Sequence, residues 1–279
     1  MTSGDRTRAR TRRHLLSGSR PREVAPGVHL LTTGRTAAAS NVYLVDAERG
    51  WVLVDTGWPG SVGAVTSAVE SLHGRSARPT AILLTHMHPD HSGAAGPLAR
   101  AWQVPVHVHP DELVMAAGRY VPEYGMPLDR WLVMPLMRLL PARTRTRVED
   151  AGSITDVVQP LGPDGAVPGL PGWRWVHTPG HTPGHVAFLR EADGLLISGD
   201  AVVTVDLNSL RGVLTRRPQL SGPPRYTTWD WPAAVRSVST LAALAPQLLA
   251  PGHGRPWATG TAEGLRALAD RLGESLPQR

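Results

Sequence analysis

The chain has 279 residues, 41% of them hydrophobic, and a formal charge of +6 at pH 7. That length suits one large domain or two small ones, with enough apolar material for a buried core. All 29 basic residues are Arg and there is no Cys, which excludes disulfides and thiolate metal sites.

Residues 1–23 read as a disordered Arg-rich tail, carrying Arg6, Arg8, Arg10, Arg12, Arg13, Arg20 and Arg22. Arg12-Arg13 is followed by His14-Leu15-Leu16 and then by Ser17-Gly18-Ser19-Arg20-Pro21, where an export signal needs an apolar stretch of roughly 7–15 residues. A cytoplasmic location is therefore expected. No run reaches the roughly 18 apolar residues of a membrane span. The globular part shows no basic face with aromatics set for stacking, which argues against a nucleic-acid partner.

Order is expected from Val24, as one domain over 24–279. Val28 to Thr32 reads as an edge strand. Asn41 to Asp46 and Trp51 to Asp55 read as a hairpin. Ser61 to His73 has helical spacing at Val62, Val65, Val69 and Leu72. Ala81 to Leu84 is a short apolar strand, followed by a helix over 94–102 and a strand at Pro105 to His109. The region from about 112 to 150 breaks this rhythm and is expected to be a helical insertion. Its Met, Tyr and Trp residues, and the apolar run Trp131 to Leu140, leave three readings open: packing on the domain, a flexible lid, or a homodimer contact. Strands follow at Trp173 to Val176, Val186 to Leu189, Leu195 to Ile197 and Leu248 to Ala250, with helices at Pro232 to Leu244 and Thr261 to Leu272. This order fits two sheets packed face to face with helices outside.

Chemistry concentrates in seven residues. His86, His88, Asp90 and His91 form one short run just after a strand, and His181, Asp200 and His253 each follow a later strand. The alternation His86-x-His88-x-Asp90 aims side chains at a common point, and His91 turns the other way. Imidazole and carboxylate together suit zinc, iron or manganese, and the set is large enough for two ions. A hydroxide between two cations is a strong nucleophile near neutral pH, because coordination drops the pKa of water from about 15.7 to about 7. His107, His109 and His177 read as structural.

The run Thr85-His86-x-His88-x-Asp90-His91, with His181, Asp200 and His253 in order, resembles the metallo-β-lactamase-fold superfamily from about Val24 to the C-terminus. The resemblance implies an α/β fold, a four-layer αββα sandwich with the site at one edge. It implies that His86, His88 and His181 bind one metal, that Asp90, His91 and His253 bind the other, and that Asp200 bridges. It gives Asp55 a supporting role behind the ligands, and His185 reads as supporting rather than ligating. Asp90 and Asp200 are the expected catalytic carboxylates. Two divalent ions are implied, with zinc favoured over iron or manganese.

Within that superfamily, the commonest zinc β-lactamases carry Cys where this chain has Asp200. The typical lactonase has Tyr where this chain has Val203. Hydroxyacylglutathione hydrolases share the Thr-Pro-Gly-His turn. The expectation is a dinuclear hydrolase of a small-molecule ester, thioester or lactone, its apolar acyl group resting near Trp58, Met126, Trp131 and Tyr226. A mononuclear iron dioxygenase of sulfur compounds, a phosphodiesterase and a nucleic-acid-binding metalloprotein remain as alternatives.

Overall fold

The computed structural model describes residues 20–35, 39–119, 121–141, 143–144 and 152–275. The tail up to residue 19 and residues 145–150 of the expected insertion lie outside the described residues.

A seven-stranded sheet runs in sequence order through β1 (Arg22–Ala25), β2 (Val28–Thr33), β3 (Ser40–Asp46), β4 (Trp51–Val54), β5 (Ile82–Leu83), β6 (Val106–Val108) and β7 (Val158–Pro160). Of these, β1 to β4 pair antiparallel and β4 to β7 pair parallel. A four-stranded sheet contains β8 (Trp173–His177), β9 (Val186–Arg190), β10 (Leu195–Gly199) and β13 (Leu248–Pro251), in the order β13-β10-β9-β8. A small hairpin of β11 (Val203–Val205) and β12 (Pro218–Ser221) stands apart. The strand at Val28 was expected at an edge. It is interior, because β1 pairs along its outer side.

Burial on both faces explains why the central strands read as continuous apolar runs rather than alternating ones. Leu30, Tyr43, Val45, Val52 and Val54 face the second sheet, where they meet Val186, Phe188, Leu195 and Ile197. Their neighbours Leu31, Leu44 and Leu53 face outward onto α1 (Val62–His73) and, after the short α2 (Pro89–Ser92), α3 (Ala95–Trp102). The insertion follows as α4 (Leu113–Ala116), then a π-helical turn at Asp129–Val133 that leads into α5 (Met134–Leu139). Past α6 (Leu210–Thr215), the outer face of the second sheet is covered by α7 (Trp231–Ala243) and α8 (Thr261–Glu274), through Leu196, Leu249, Val238, Leu241, Leu265 and Leu268. The Asp230 carboxylate accepts the Ala233 N–H at 3.0 Å and Pro232 occupies the first turn, so α7 starts where both residues require it. These layers are the expected αββα order.

The insertion packs unevenly. Trp131, Leu132, Leu136 and Leu139 are 85%, 59%, 60% and 81% exposed, so the Asp129–Leu139 helix is not core.

Parallel pairing decides where the functional residues fall. β4 and β5 run the same way, and so do β10 and β13. Asp55, the Thr85–His91 run, Asp200 and His253 therefore all emerge at C-terminal strand ends. The two sheets are laced together at this edge. Asn41 N–H and Nδ2 donate to Gly252 O and Pro251 O at 2.8 Å each, Tyr43 donates to Pro251 O at 2.8 Å, and Val186 N–H donates to Thr85 O at 2.9 Å. Among the described residues no helix is long and apolar enough to cross a membrane.

Candidate metal centre

All seven residues meet at this edge. Donor atoms of His86, His88 and His181 lie within 4.8 Å of one another, as do those of His86, His91 and Asp200, and those of Asp90, His91 and His253. Asp200 stands between the groups. Its Oδ2 is 3.4 Å from His181 Nε2 and 3.2 Å from His253 Nε2, and its Oδ1 is 3.4 Å from His91 Nε2. Asp90 Oδ2 lies 3.2 Å from His253 Nε2 and 3.6 Å from His91 Nε2.

The inner nitrogens converge because the outer ones are held. His91 Nδ1 donates to Asp55 Oδ2 at 2.9 Å, and His253 Nδ1 donates to Ala39 O at 2.7 Å. His181 Nδ1 donates to Thr228 Oγ1 at 3.2 Å, whose own proton goes to Pro224 O at 2.7 Å. His86 Nδ1 donates to Thr85 Oγ1 at 3.0 Å, and that hydroxyl donates to Asp55 Oδ2 at 2.9 Å. Such partners fix the tautomer that leaves Nε2 as the lone pair. Asp55 also accepts the Thr85 N–H at 2.8 Å, so one carboxylate orients His86 and His91 together. His185 turns away from the centre. Its Nδ1 donates to Thr178 at 2.7 Å and its Nε2 accepts the Asp200 N–H at 3.0 Å, which anchors the backbone of Asp200.

The centre leaves polar atoms that a cation would satisfy. Nε2 of His86, His88 and His181 and Oδ1 of Asp200 are buried without a hydrogen-bond partner, an arrangement native interiors otherwise avoid. Burial, reinforced by neighbouring imidazoles, keeps His86 and His185 well below the usual His range, and His88 is lowered to about 3. All three imidazoles are neutral, which leaves His86 and His88 ready to ligate and His185 able to accept the Asp200 N–H. His91 is the opposite case. Burial lowers it, but Asp200, Asp90 and Asp55 outweigh that and raise it to about 9. Asp200 and Asp90 also hold His253 well above its ordinary value against burial. Burial would raise Asp90 and Asp200, yet the same two imidazoles hold both below the carboxylate range. Two protons thus do the electrostatic work that divalent cations would do better, and the donor set fits such ions.

The residues expected to line a substrate pocket are distributed differently. Met126 lines a mainly apolar cavity that opens onto His88 and His181, together with Met115, Val121, Tyr124, Pro183 and Trp229, and with Arg119 and Asp129 as its charged members. Trp229 closes it by stacking edge-on to Tyr124 at 5.3 Å and donating to Glu123 O at 2.7 Å. Trp131 lines a separate recess on the far side of Trp229. Tyr226 is half-exposed. Burial raises its phenol pKa, and the charges of Asp200 and Asp90 raise it further. Trp58 sits before the turn Pro59–Ser61 and is 37% exposed. Sequence reasoning missed Thr228, the Ala39 carbonyl and Glu112. Their partners are distant in sequence, and no spacing reveals them.

The metallo-beta-lactamase superfamily matches residues 35–253. The probable metallo-hydrolase YflN of Bacillus subtilis strain 168 is 37% identical over 256 residues, covering 90% of this chain and 92% of the relative. The metallo-beta-lactamase family protein TTHA1429 from Thermus thermophilus superposes with a TM-score of 0.63 at 25% identity, covering 91% of this chain and 80% of that one. TTHA1623, solved in a di-iron-bound form, gives a TM-score of 0.52 at 29% identity, covering 83% of this chain and 94% of that one.

Proposed function

This chain belongs to the metallo-beta-lactamase superfamily, and from that premise we propose that it is a dinuclear metal-dependent hydrolase of an ester, thioester or lactone with an apolar acyl group. The observation that carries the proposal is the set of buried, unpartnered Nε2 atoms of His86, His88 and His181, with Asp200 Oδ1, beside an apolar cavity.

His86, His88 and His181 would hold one ion, Asp90, His91 and His253 the other, and Asp200 both. When bound, the ions supply Lewis acidity toward a carbonyl and an ionised water near neutral pH. Asp55 and Thr228 keep the ligand imidazoles in the required tautomer. The side chain of Asp90 is 18% exposed, against 4% for Asp200. Asp90 is ionised as it stands, so it would pass a proton to a departing oxygen or sulfur only by relaying the one that the attacking water gives up. Met115, Val121 and Met126 exclude water from the acyl side of the scissile bond, and the Trp229–Tyr124 pair bounds the length of chain accepted.

The test is a hydrolysis screen of acyl thioesters, esters, lactones and phosphodiesters with metal-loaded wild type and Asp200→Ala. Turnover of an acyl substrate that the variant loses is expected. Turnover confined to phosphodiesters, or no turnover at all, would overturn the assignment.

A further inference from the structure

Glu112 is a charged residue in an unusual place. It is 0% exposed and closes the turn Pro110–Glu112. Its Oε2 accepts the N–H of Met87, between His86 and His88, at 2.8 Å. Its Oε1 accepts the N–H of Gly184, three residues past His181, also at 2.8 Å. Among the described residues no cation pairs with it. Burial pushes its carboxyl up to about 7, although the Thr182 hydroxyl and the N–H groups of Gly184 and Met87 pull the other way.

We propose that Glu112 is a positioning residue that sets the spacing between the two loops bearing His86, His88 and His181, with one carboxylate oxygen clamped to each loop. The inference rests on the metal-binding reading above.

The surroundings support a clamp. Gly184 sits flush on Glu112. A Cβ there would meet Glu112 Cγ at 2.8 Å and its backbone N at 3.0 Å, so only glycine permits the approach. The turn that carries Glu112 is itself held. His109 accepts the Asp111 N–H at 3.2 Å and stacks on His177 at 4.1 Å, and His177 donates to Pro183 O at 2.9 Å. The turn bearing Glu112 is thereby tied to the end of β8 and to the loop that carries His181. The rings of His88 and His181 meet at 4.5 Å between centroids, directly across this clamp.

Packing alone does not explain a carboxylate. An apolar side chain would fill the space without the desolvation cost, but would orphan the buried Gly184 N–H and the partly buried Met87 N–H. A carboxylate offers two acceptor oxygens with fixed separation. Gln offers one acceptor and one donor, so Glu112→Gln keeps one loop clamped and sets an NH₂ against the N–H of the other. Glu112 lines neither the cavity nor the metal cluster, so loss of the clamp acts through ligand geometry rather than direct contact.

The experiment is a cobalt(II) titration of the metal-free full chain, read by the visible d–d bands and by competition for affinity. Wild type, Glu112→Gln and Glu112→Asp are compared, each with a thermal melt. The inference predicts a folded Glu112→Gln protein whose cobalt affinity is lower by about 10- to 100-fold, the range for lost supporting partners, with altered d–d bands. Glu112→Asp keeps both acceptors on a shorter arm and falls between the two. If Glu112→Gln does not fold, Glu112→Asp carries the comparison alone. A lower melting temperature with wild-type affinity and spectrum means a structural role only and overturns the inference. Wild type that takes up no cobalt overturns the metal reading itself, and the inference with it.

Discussion

Asp55→Asn isolates what a residue behind the ligands contributes. Asp55 adopts φ 59°, in the left-handed region, which Asn tolerates as well as Asp does. The side chains are nearly isosteric, so the fold should survive. The Asp55 carboxylate accepts from the Thr85 N–H and hydroxyl and from His91 Nδ1. With Asn, the one remaining oxygen is best spent on the Thr85 N–H, and an NH₂ then faces His91. The imidazole can answer only by presenting its lone pair at Nδ1, which moves the proton to Nε2 and blocks the atom that points at Asp90 and Asp200. A hydrogen bond to a charged group is worth about 1.5–3 kcal/mol, and loss of an outer partner typically costs about 10- to 100-fold in metal affinity. The two figures agree, since each tenfold is about 1.4 kcal/mol. Stepwise zinc titration of the metal-free variant should show the Asp90, His91 and His253 group weakened by that factor, with turnover falling in parallel. Tight binding of two ions at wild-type affinity, with full activity, would refute the assigned role of Asp55.

Gly252→Ala should abolish tight metal uptake while leaving most of the core intact, because a Cβ there would strike Asp200 Oδ1 and come within 2.8 Å of His91 Cε1; normal metal content in the variant would contradict this. A second expectation concerns protons. A raised His pKa means that the folded, metal-free chain holds the proton more tightly than the unfolded chain. The contribution of His91 to stability is therefore fully present below about 6.5 and lost as pH rises through about 9. Metal binding at pH 7 must then displace protons from His91 and His253, roughly two per chain. Calorimetry in buffers of different ionisation enthalpy measures that number, and absence of proton release would show that the carboxylates are neutralised some other way.

The seven clustered His and Asp residues were legible because parallel strand ends and Gly- or Pro-rich turns leave a local signature, and four of the seven sit within six residues of one another. The central strands were legible from continuous apolar runs. The position of Val28–Thr33 was misread because the strand that covers it, Arg22–Ala25, is short, opens on two charged residues and merges with the Arg-rich tail. The strand Val158–Pro160 and the hairpin of Val203–Val205 with Pro218–Ser221 are too short to rise above loop composition. Nothing in the run Pro110-Asp111-Glu112 marks the acid as buried, and only the tertiary approach of Met87 and Gly184 makes it so. Thr228 was passed over beside the more conspicuous aromatics at 226, 229 and 231, although its hydroxyl is what orients His181.

The most direct test of the central claim is the number of ions that the seven residues hold. Metal analysis of the full chain, combined with anomalous diffraction at the edge of whichever metal is found, should give two divalent ions per chain. One should lie among His86, His88, His181 and Asp200, and the other among Asp90, His91, His253 and Asp200. A single ion per chain, or ions bound away from these residues, would contradict the account.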